Sequence, residues 1–309
     1  MTELVRLVET FRNLFYTPVY VAVAGGFLYR ESLDVRFSTA PGDRSPMEML
    51  RDGSADIVQT DISRSFMALD EGEDDAPLHF AEINQRDGFF LVGRDRTDGW
   101  TWKDLEGSLL IPVGFTPVPW ISLRSAMKAN GVDLNSVRLI EGLSAEESIA
   151  KFRAGDADYI HMPHPQAQAL VDDGTGHLAT GVGPTLGYVC YSSFAATPAF
   201  LEGRPETVAR FVRGFYEAQR WLASHEAGDV GSMVASFFPE TSPTVLREGI
   251  GAYIEGQTWA DDPLIGEDGF AAMRDLLIDG GLVQGRHEYD RVVRPEFALS
   301  AIEEHAAQS

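Results

Sequence analysis

Four short stretches place hydrogen-bonding side chains beside aromatic rings or Gly/Pro bends: Tyr16-Thr17, Gln59-Thr60-Asp61, Gly114-Phe115-Thr116 and His161-Met162-Pro163-His164. That mixture suits a largely apolar pocket in which a few polar groups orient a small molecule. Asp61 has two readings: a carboxylate that grips an amine or amidine, or a cap for a helix that begins at Ser63-Arg64. His161 and His164 have H-x-x-H spacing, which on a helix can bind a metal, but Pro163 interrupts the pair and no third ligand is evident. Hydrogen-bonding histidines of a pocket, or surface histidines, are the other readings. No metal and no cofactor is expected.

Gly114-Phe115-Thr116-Pro117 lacks both the P-loop Lys-Ser/Thr and the G-x-G-x-x-G spacing. Its backbone amides at a helix start could still hold a carboxylate or sulfonate. Neither G-x-S-x-G nor H-E-x-x-H occurs. The one cysteine, Cys190, lies in the apolar run Tyr188-Val189-Cys190-Tyr191, so an internal disulfide and a Cys-based metal site are excluded. It reads as a small hydrophobe of a strand rather than a nucleophile.

The elements that must position these residues are legible as α/β. A length of 309 residues suits two lobes, and 44% hydrophobic with 23% charged residues is a globular composition. An apolar segment from Phe11 to Tyr16 followed by Thr17-Pro18 and the run Val19 to Ala24 predicts strand, polar loop and helix, with Gly25-Gly26 as the stop. A strand is expected at Leu33 to Phe37. Ser45-Pro46-Met47-Glu48 has the capping-box spacing, and the helix it starts should end at Gly53 and hand over to a strand Ala55 to Gln59. The same unit returns at Ser144-Ala145-Glu146-Glu147, where Phe152 to Ile160 parallels Leu50 to Val58. Between the copies come a strand Leu109 to Val113, a helix Ile121 to Asn130 and a strand Val137 to Ile140. A strand at Tyr188 to Phe194 should return to the first lobe, and from Pro205 onward the pattern is helical. Alternating strands and helices mean parallel sheets, whose ligands bind outside the carboxyl ends of the strands.

A net charge of −22, with 25 basic against 47 acidic residues, excludes nucleic acid as a partner, since phosphate binding depends on clustered Lys and Arg. An acidic, well-solvated surface or a field that steers cations are the two readings of that charge. The first residues lack a basic region followed by an apolar segment and a cleavage site, so a cytoplasmic location is expected for the chain as it stands. A leader removed ahead of Met1 would instead make it periplasmic or membrane-associated.

Tyr16-Thr17-Pro18, Gly26-Phe27-Leu28, Gly53 to Ile57, Asn84-Gln85-Arg86-Asp87-Gly88, Lys103 to Gly107 and Arg153 to Asp158 together resemble the periplasmic-binding-protein superfamily. The resemblance is to the branch of alkanesulfonate, taurine, nitrate and thiamine-pyrimidine-precursor binders, and runs over roughly residues 5 to 285. It implies a type II fold of two α/β lobes, a two-stranded hinge and a ligand cleft, with lobe one at 1–93 and 190–309 and lobe two at 94–189. Where this branch often has aromatic-Glu-Pro, the chain has Pro163-His164-Pro165, which points away from an aminopyrimidine ligand. Related thiamine-pyrimidine synthases carry a reactive Lys and a His where this chain has Gln59 and Ser63. Related sulfinate desulfinases use a Cys where it has Tyr16-Thr17.

The expected function is therefore binding of a sulfonate, aromatic carboxylate or pyrimidine-like molecule for an ABC importer permease, with no bond made. Tyr16, Thr17, Gln59, Thr60, Asp61, Gly114, Phe115, Thr116, His161, His164 and Tyr188 are the expected contacts. The alternative is a cytoplasmic lyase or decarboxylase on the same fold, with His164 or His161 as proton donor and Asp61 as partner.

Overall fold

The structure, a computed structural model, describes residues 2–96 and 99–308. Ten strands form two five-stranded sheets. In the first, β1 (Glu3–Glu9), β2 (Leu33–Thr39), β3 (Ile57–Thr60), β4 (Leu78–Asn84) and β10 (Ser192–Ala196) lie in the order β2-β1-β3-β10-β4. In the second, β5 (Phe89–Gly93), β6 (Leu109–Ile111), β7 (Arg138–Leu139), β8 (Tyr159–Pro163) and β9 (His177–Gly181) lie in the order β7-β6-β8-β5-β9. Each sheet has parallel pairs at one side and one antiparallel strand that has come over from the other sheet: β10 between β3 and β4, β5 between β8 and β9.

Residues 85–88 and 187–191 are the two crossovers. They pair with each other, Val189 N–H donating to the Gln85 carbonyl at 3.0 Å and Tyr191 N–H to the Asn84 carbonyl at 2.9 Å. This is the type II periplasmic-binding-protein fold, two lobes joined by a two-stranded hinge. The chain changes sheets before Phe89 and not after residue 93, because β5 pairs on both edges with second-sheet strands. Likewise β10 begins at Ser192, so Tyr188 to Tyr191 belong to the crossover rather than to a strand.

The repeated unit folds alike in both lobes. Ser45 caps α3 (Pro46–Arg51) and Ser144 caps α6 (Ala145–Ala154), each with the reciprocal Glu48 or Glu147 bond of a complete capping box. Gly53 and Gly155 then adopt φ of +71° and +92°, a left-handed turn that a Cβ would disfavour. Asp56 and Asp158 do the same work after that turn. Asp56 Oδ2 accepts the Arg6 backbone N–H at 2.8 Å, and Asp158 Oδ2 accepts the Leu109 N–H at 2.7 Å, so each aspartate sets the register of its neighbouring parallel strand.

The expected first strand at Phe11 to Tyr16 is instead a loop and a 3-10 turn over Leu14–Tyr16; the first strand is β1, which ends seven residues before Tyr16 and lies between β2 and β3. Helix α5 (Pro117–Ala129) starts one turn before Ile121. The helices after β10 are α10 (Pro205–Ala223), α12 (Pro243–Glu255), α13 (Glu267–Asp279) and α14 (Glu296–Gln308), with shorter ones between. Of these, α12 packs on α7 (Gln166–Asp172) and α13 on α5, so the C-terminal helices touch both lobes. No helix among the described residues is long and apolar enough to cross a membrane.

Candidate functional site

At the carboxyl ends of β1, β3 and β6 the two lobes face each other across a cleft lined by Phe11, Tyr16, Gln59 and Asp61 of the first lobe and by Phe89, Phe115 and Thr116 of the second. Tyr16 closes the 3-10 turn, which Asn13 caps by accepting the Phe15 N–H at 2.9 Å. Gln59 ends β3. Its side-chain oxygen accepts the Thr10 N–H at 3.1 Å, while the Thr10 hydroxyl donates to its carbonyl at 2.9 Å, which fixes the amide's orientation in the cleft. Burial and the neighbouring Asp61 carboxylate push the Tyr16 phenol far above its ordinary range, with a Gln59 hydrogen bond acting in the opposite sense, so the hydroxyl stays neutral.

Phe11 and Phe115 meet edge to face across the cleft, 5.5 Å between ring centroids, and Phe11 leans on Tyr16 at the same distance. This contact joins the lobes and divides the space in two. Inside lies a cavity of about 70 Å³, enough for roughly five waters at ~10–15 Å³ each. On the outer side a wider recess of about 430 Å³ is bounded by Asn13, Met162 and Gln166.

Five of the expected residues therefore come together: Tyr16, Gln59, Asp61, Phe115 and Thr116. The others lie elsewhere, each for a local reason. Thr17 is buried, its hydroxyl donating to the Leu14 carbonyl at 2.7 Å. Thr60 alternates with Gln59 along β3 and faces the other side of the sheet. Gly114 lines an adjacent recess with Trp120 and Glu141, and a Cβ there would lie 2.8 Å from the Leu143 carbonyl. Tyr188 is packed over Gly269, donating to Glu82 at 3.1 Å and accepting from Gly266 N–H at 2.9 Å.

His161 and His164 are sealed in the interior, both with no accessible surface. The His164 ring lies 4.2 Å from Phe90 and 5.3 Å from Tyr253 of α12, and His161 lies 5.5 Å from Phe89. Burial pulls both imidazoles down to about 3, and among the described residues none of their ring nitrogens has a hydrogen-bond partner. They are neutral at pH 7 and do not face Asp61. Asp61 itself caps: its Oδ1 accepts the Ser63 N–H at 3.0 Å and the Ser63 hydroxyl. Among the described residues no three His, Cys, Asp or Glu side chains gather as metal ligands. Burial, then the Glu82 carboxyl, push the Cys190 thiol up.

The sequence reading missed Thr10, Phe11, Arg64, Phe89, Tyr191 and Ser192, which also line the cleft. The signal for Thr10 and Phe11 was present: placing the first strand at Glu3–Glu9 puts them at its carboxyl end. Arg64 stands one helical turn from Asp61, so its proximity follows from the helix start that Asp61 caps. Phe89 and Tyr191 depend on the lobes meeting, which no local pattern encodes.

Comparison with known proteins places this geometry. YtlA of Bacillus subtilis (strain 168), named a "Putative binding protein", is 27% identical over 295 residues, 95% of this chain and 88% of that protein. The alkanesulfonate-binding protein SsuA of Xanthomonas axonopodis pv. citri, solved with MOPS, superposes with a TM-score of 0.72 at 16% identity, over 96% of this chain and all of the other. The desulfurization enzyme DSZB superposes equally well, with a TM-score of 0.73 at 16% identity over 98% of this chain and 99% of that one. These two structures share the fold. The sequence profile described as NMT1/THI5 like matches residues 13–227, more than half of the chain, and the chain belongs to that NMT1/THI5-like family.

Proposed function

We propose that this chain is the solute-binding component of an ABC importer, which holds a small organic molecule in the interlobe cleft and delivers it to a membrane permease. The observation that carries the reading is that the cleft takes its walls from both lobes. A ligand in contact with Tyr16 and Gln59 on one side and Phe115 and Thr116 on the other stabilises the closed form over the open one, which is what a closing binding protein needs. YtlA and SsuA are named as binding proteins, which supports the reading; DSZB is named as an enzyme, so the shared fold alone does not decide. The side chains argue for binding. The two histidines that would serve a lyase as proton donors are neutral and walled off from the cleft, and Asp61 is engaged with Ser63. The same reading implies a periplasmic or membrane-associated location, if a leader is removed.

The test is a thermal-shift screen of sulfonates, aromatic carboxylates and pyrimidines, with each hit incubated and then analysed for chemical change. The proposal expects a hit recovered intact, together with a fall in radius of gyration on binding. A hit converted to product would establish the enzyme instead.

A further inference from the structure

The cleft carries two opposite charges within one helical turn, Asp61 and Arg64, and they are not equivalent. The carboxylate is already used, with Ser63 N–H and hydroxyl on Oδ1. Its Oδ2 lies 4.0 Å from Arg64 Nε, beyond hydrogen-bond distance. The Arg64 side chain makes no hydrogen bond among the described residues, and it lines the cleft. A guanidinium offers five donors in a planar fork, and here, among the described residues, it has a long ion pair with Asp61 and no hydrogen bond.

The other route to an anion is closed off. Helix α5 points its N-terminus at the cleft, but Pro117 and Pro119 occupy its first and third positions and have no N–H to give. The helix-start amides that the Gly114 to Thr116 loop suggested as an anion cradle are therefore depleted; Arg12, which lines the outer recess, is paired with Glu9, whereas Arg64 lines the inner cavity. Across from it on the second lobe's wall, Thr116 makes no capping bond with its side chain, and its hydroxyl has no hydrogen bond among the described residues.

We propose that Arg64 is the charge-selecting residue of the cleft, so that the ligand presents an oxyanion to its guanidinium and a flat apolar body to Phe11, Tyr16, Phe89 and Phe115. This rests on the solute-binding reading. Carboxylate and sulfonate share the required chemistry, two or more coplanar or splayed oxygens that accept from the fork. An anion held between Arg64 and Thr116 also spans the two lobes, so the same contact that selects charge favours closure.

The experiment is calorimetric titration of four probes of like size, benzoate, benzenesulfonate, benzamide and benzylamine, into the wild-type chain, Arg64→Gln, Arg64→Lys and Asp61→Asn. The wild type should take one or both anions in preference to the neutral and cationic probes. Arg64→Gln should weaken anion binding about tenfold or more without lowering the melting temperature, the factor expected for one charge-assisted contact. Arg64→Lys should restore part of the loss, and Asp61→Asn, by removing the competing charge, should tighten anion binding. Anion affinity unchanged in Arg64→Gln overturns the proposal, as does a wild type that prefers benzylamine or benzamide or binds none of the four. A probe recovered chemically altered would overturn the solute-binding reading while leaving the charge preference measured.

Discussion

The two copies of the capped helix, left-handed glycine and strand are built alike and end differently. Both keep the Ser–Glu capping box, both turn at a glycine of positive φ, and both use an aspartate to accept a backbone N–H of the adjoining parallel strand. After the first copy, Gln59, Asp61 and Arg64 open onto the cleft. After the second, His161 and His164 are closed over by Phe89, Phe90 and Tyr253. What seals the second end is α12, contributed by a distant part of the chain, whose Gly249 also brings its backbone close to His164: a Cβ there would lie 3.1 Å from that side chain. A repeat in sequence therefore locates scaffold twice but an open cleft only where nothing else has packed over it.

The largest consequence of that difference is in acid. An unfolded His takes up a proton near pH 6.5, whereas His161 and His164 do so near 3 in the folded chain, so the unfolded state binds more protons between those values. Stability from each is full above about pH 6.5 and is lost as pH falls, by about 1.4 kcal/mol per pH unit. His79, buried between Ser65 and Ser193 and likewise pulled down to about 3, adds in the same sense. Asp87, raised to about 7 by burial, acts oppositely: it is protonated in the folded chain while its unfolded counterpart ionises near 4, so its contribution falls as pH rises through that window. The His164→Leu variant should therefore gain about 2 kcal/mol over the wild type on going from pH 6.5 to pH 5, read from urea midpoints at each pH. An unchanged slope would mean that the histidine is hydrated in solution.

A smaller asymmetry separates the two aspartates. Burial pushes the Asp56 carboxyl up, but hydrogen bonds from the Arg6 side chain and backbone hold it below the ordinary range, with Arg6 Nη2 at 2.6 Å and Nε at 2.9 Å. Asp158 has the Leu109 N–H without an arginine. Replacement of Asp56 by Ala should cost about 2 kcal/mol and of Asp158 about 1, by chemical denaturation. Equal losses would show that the ion pair adds nothing beyond the backbone contact.

The smallest expected effect is also the one where the copies should agree. Ser45→Ala and Ser144→Ala each remove a complete capping box and should each lower stability by about 1 kcal/mol. A loss at one and not the other would break the structural equivalence.

Much of this was readable from local chemistry. The capping serines, the two glycines and the α/β alternation are signals over a few residues, and all three appear where the sequence places them. The type II fold followed from the repeat together with the resemblance. The cleft lining was half legible: strand-end loops gave Tyr16, Gln59, Asp61, Phe115 and Thr116, because a loop at a strand end is a local feature. Tyr188 and the two histidines could not be excluded locally. Their burial is decided by Gly269, Phe90 and Tyr253, which reach them from other elements. Phe11 follows from the end of β1 at Glu9, and Arg64 from the helix that starts after Asp61.

The central claim is that ligand sits at the end of the first copy and not of the second. The direct measurement is calorimetric titration of the strongest hit from the ligand screen into Gln59→Ala and His164→Leu side by side, at pH 7 where both fold. Loss of about tenfold or more in affinity for Gln59→Ala, with His164→Leu within about twofold of wild type, is the predicted result. The reverse, with His164→Leu abolishing binding and Gln59→Ala tolerated, would contradict it.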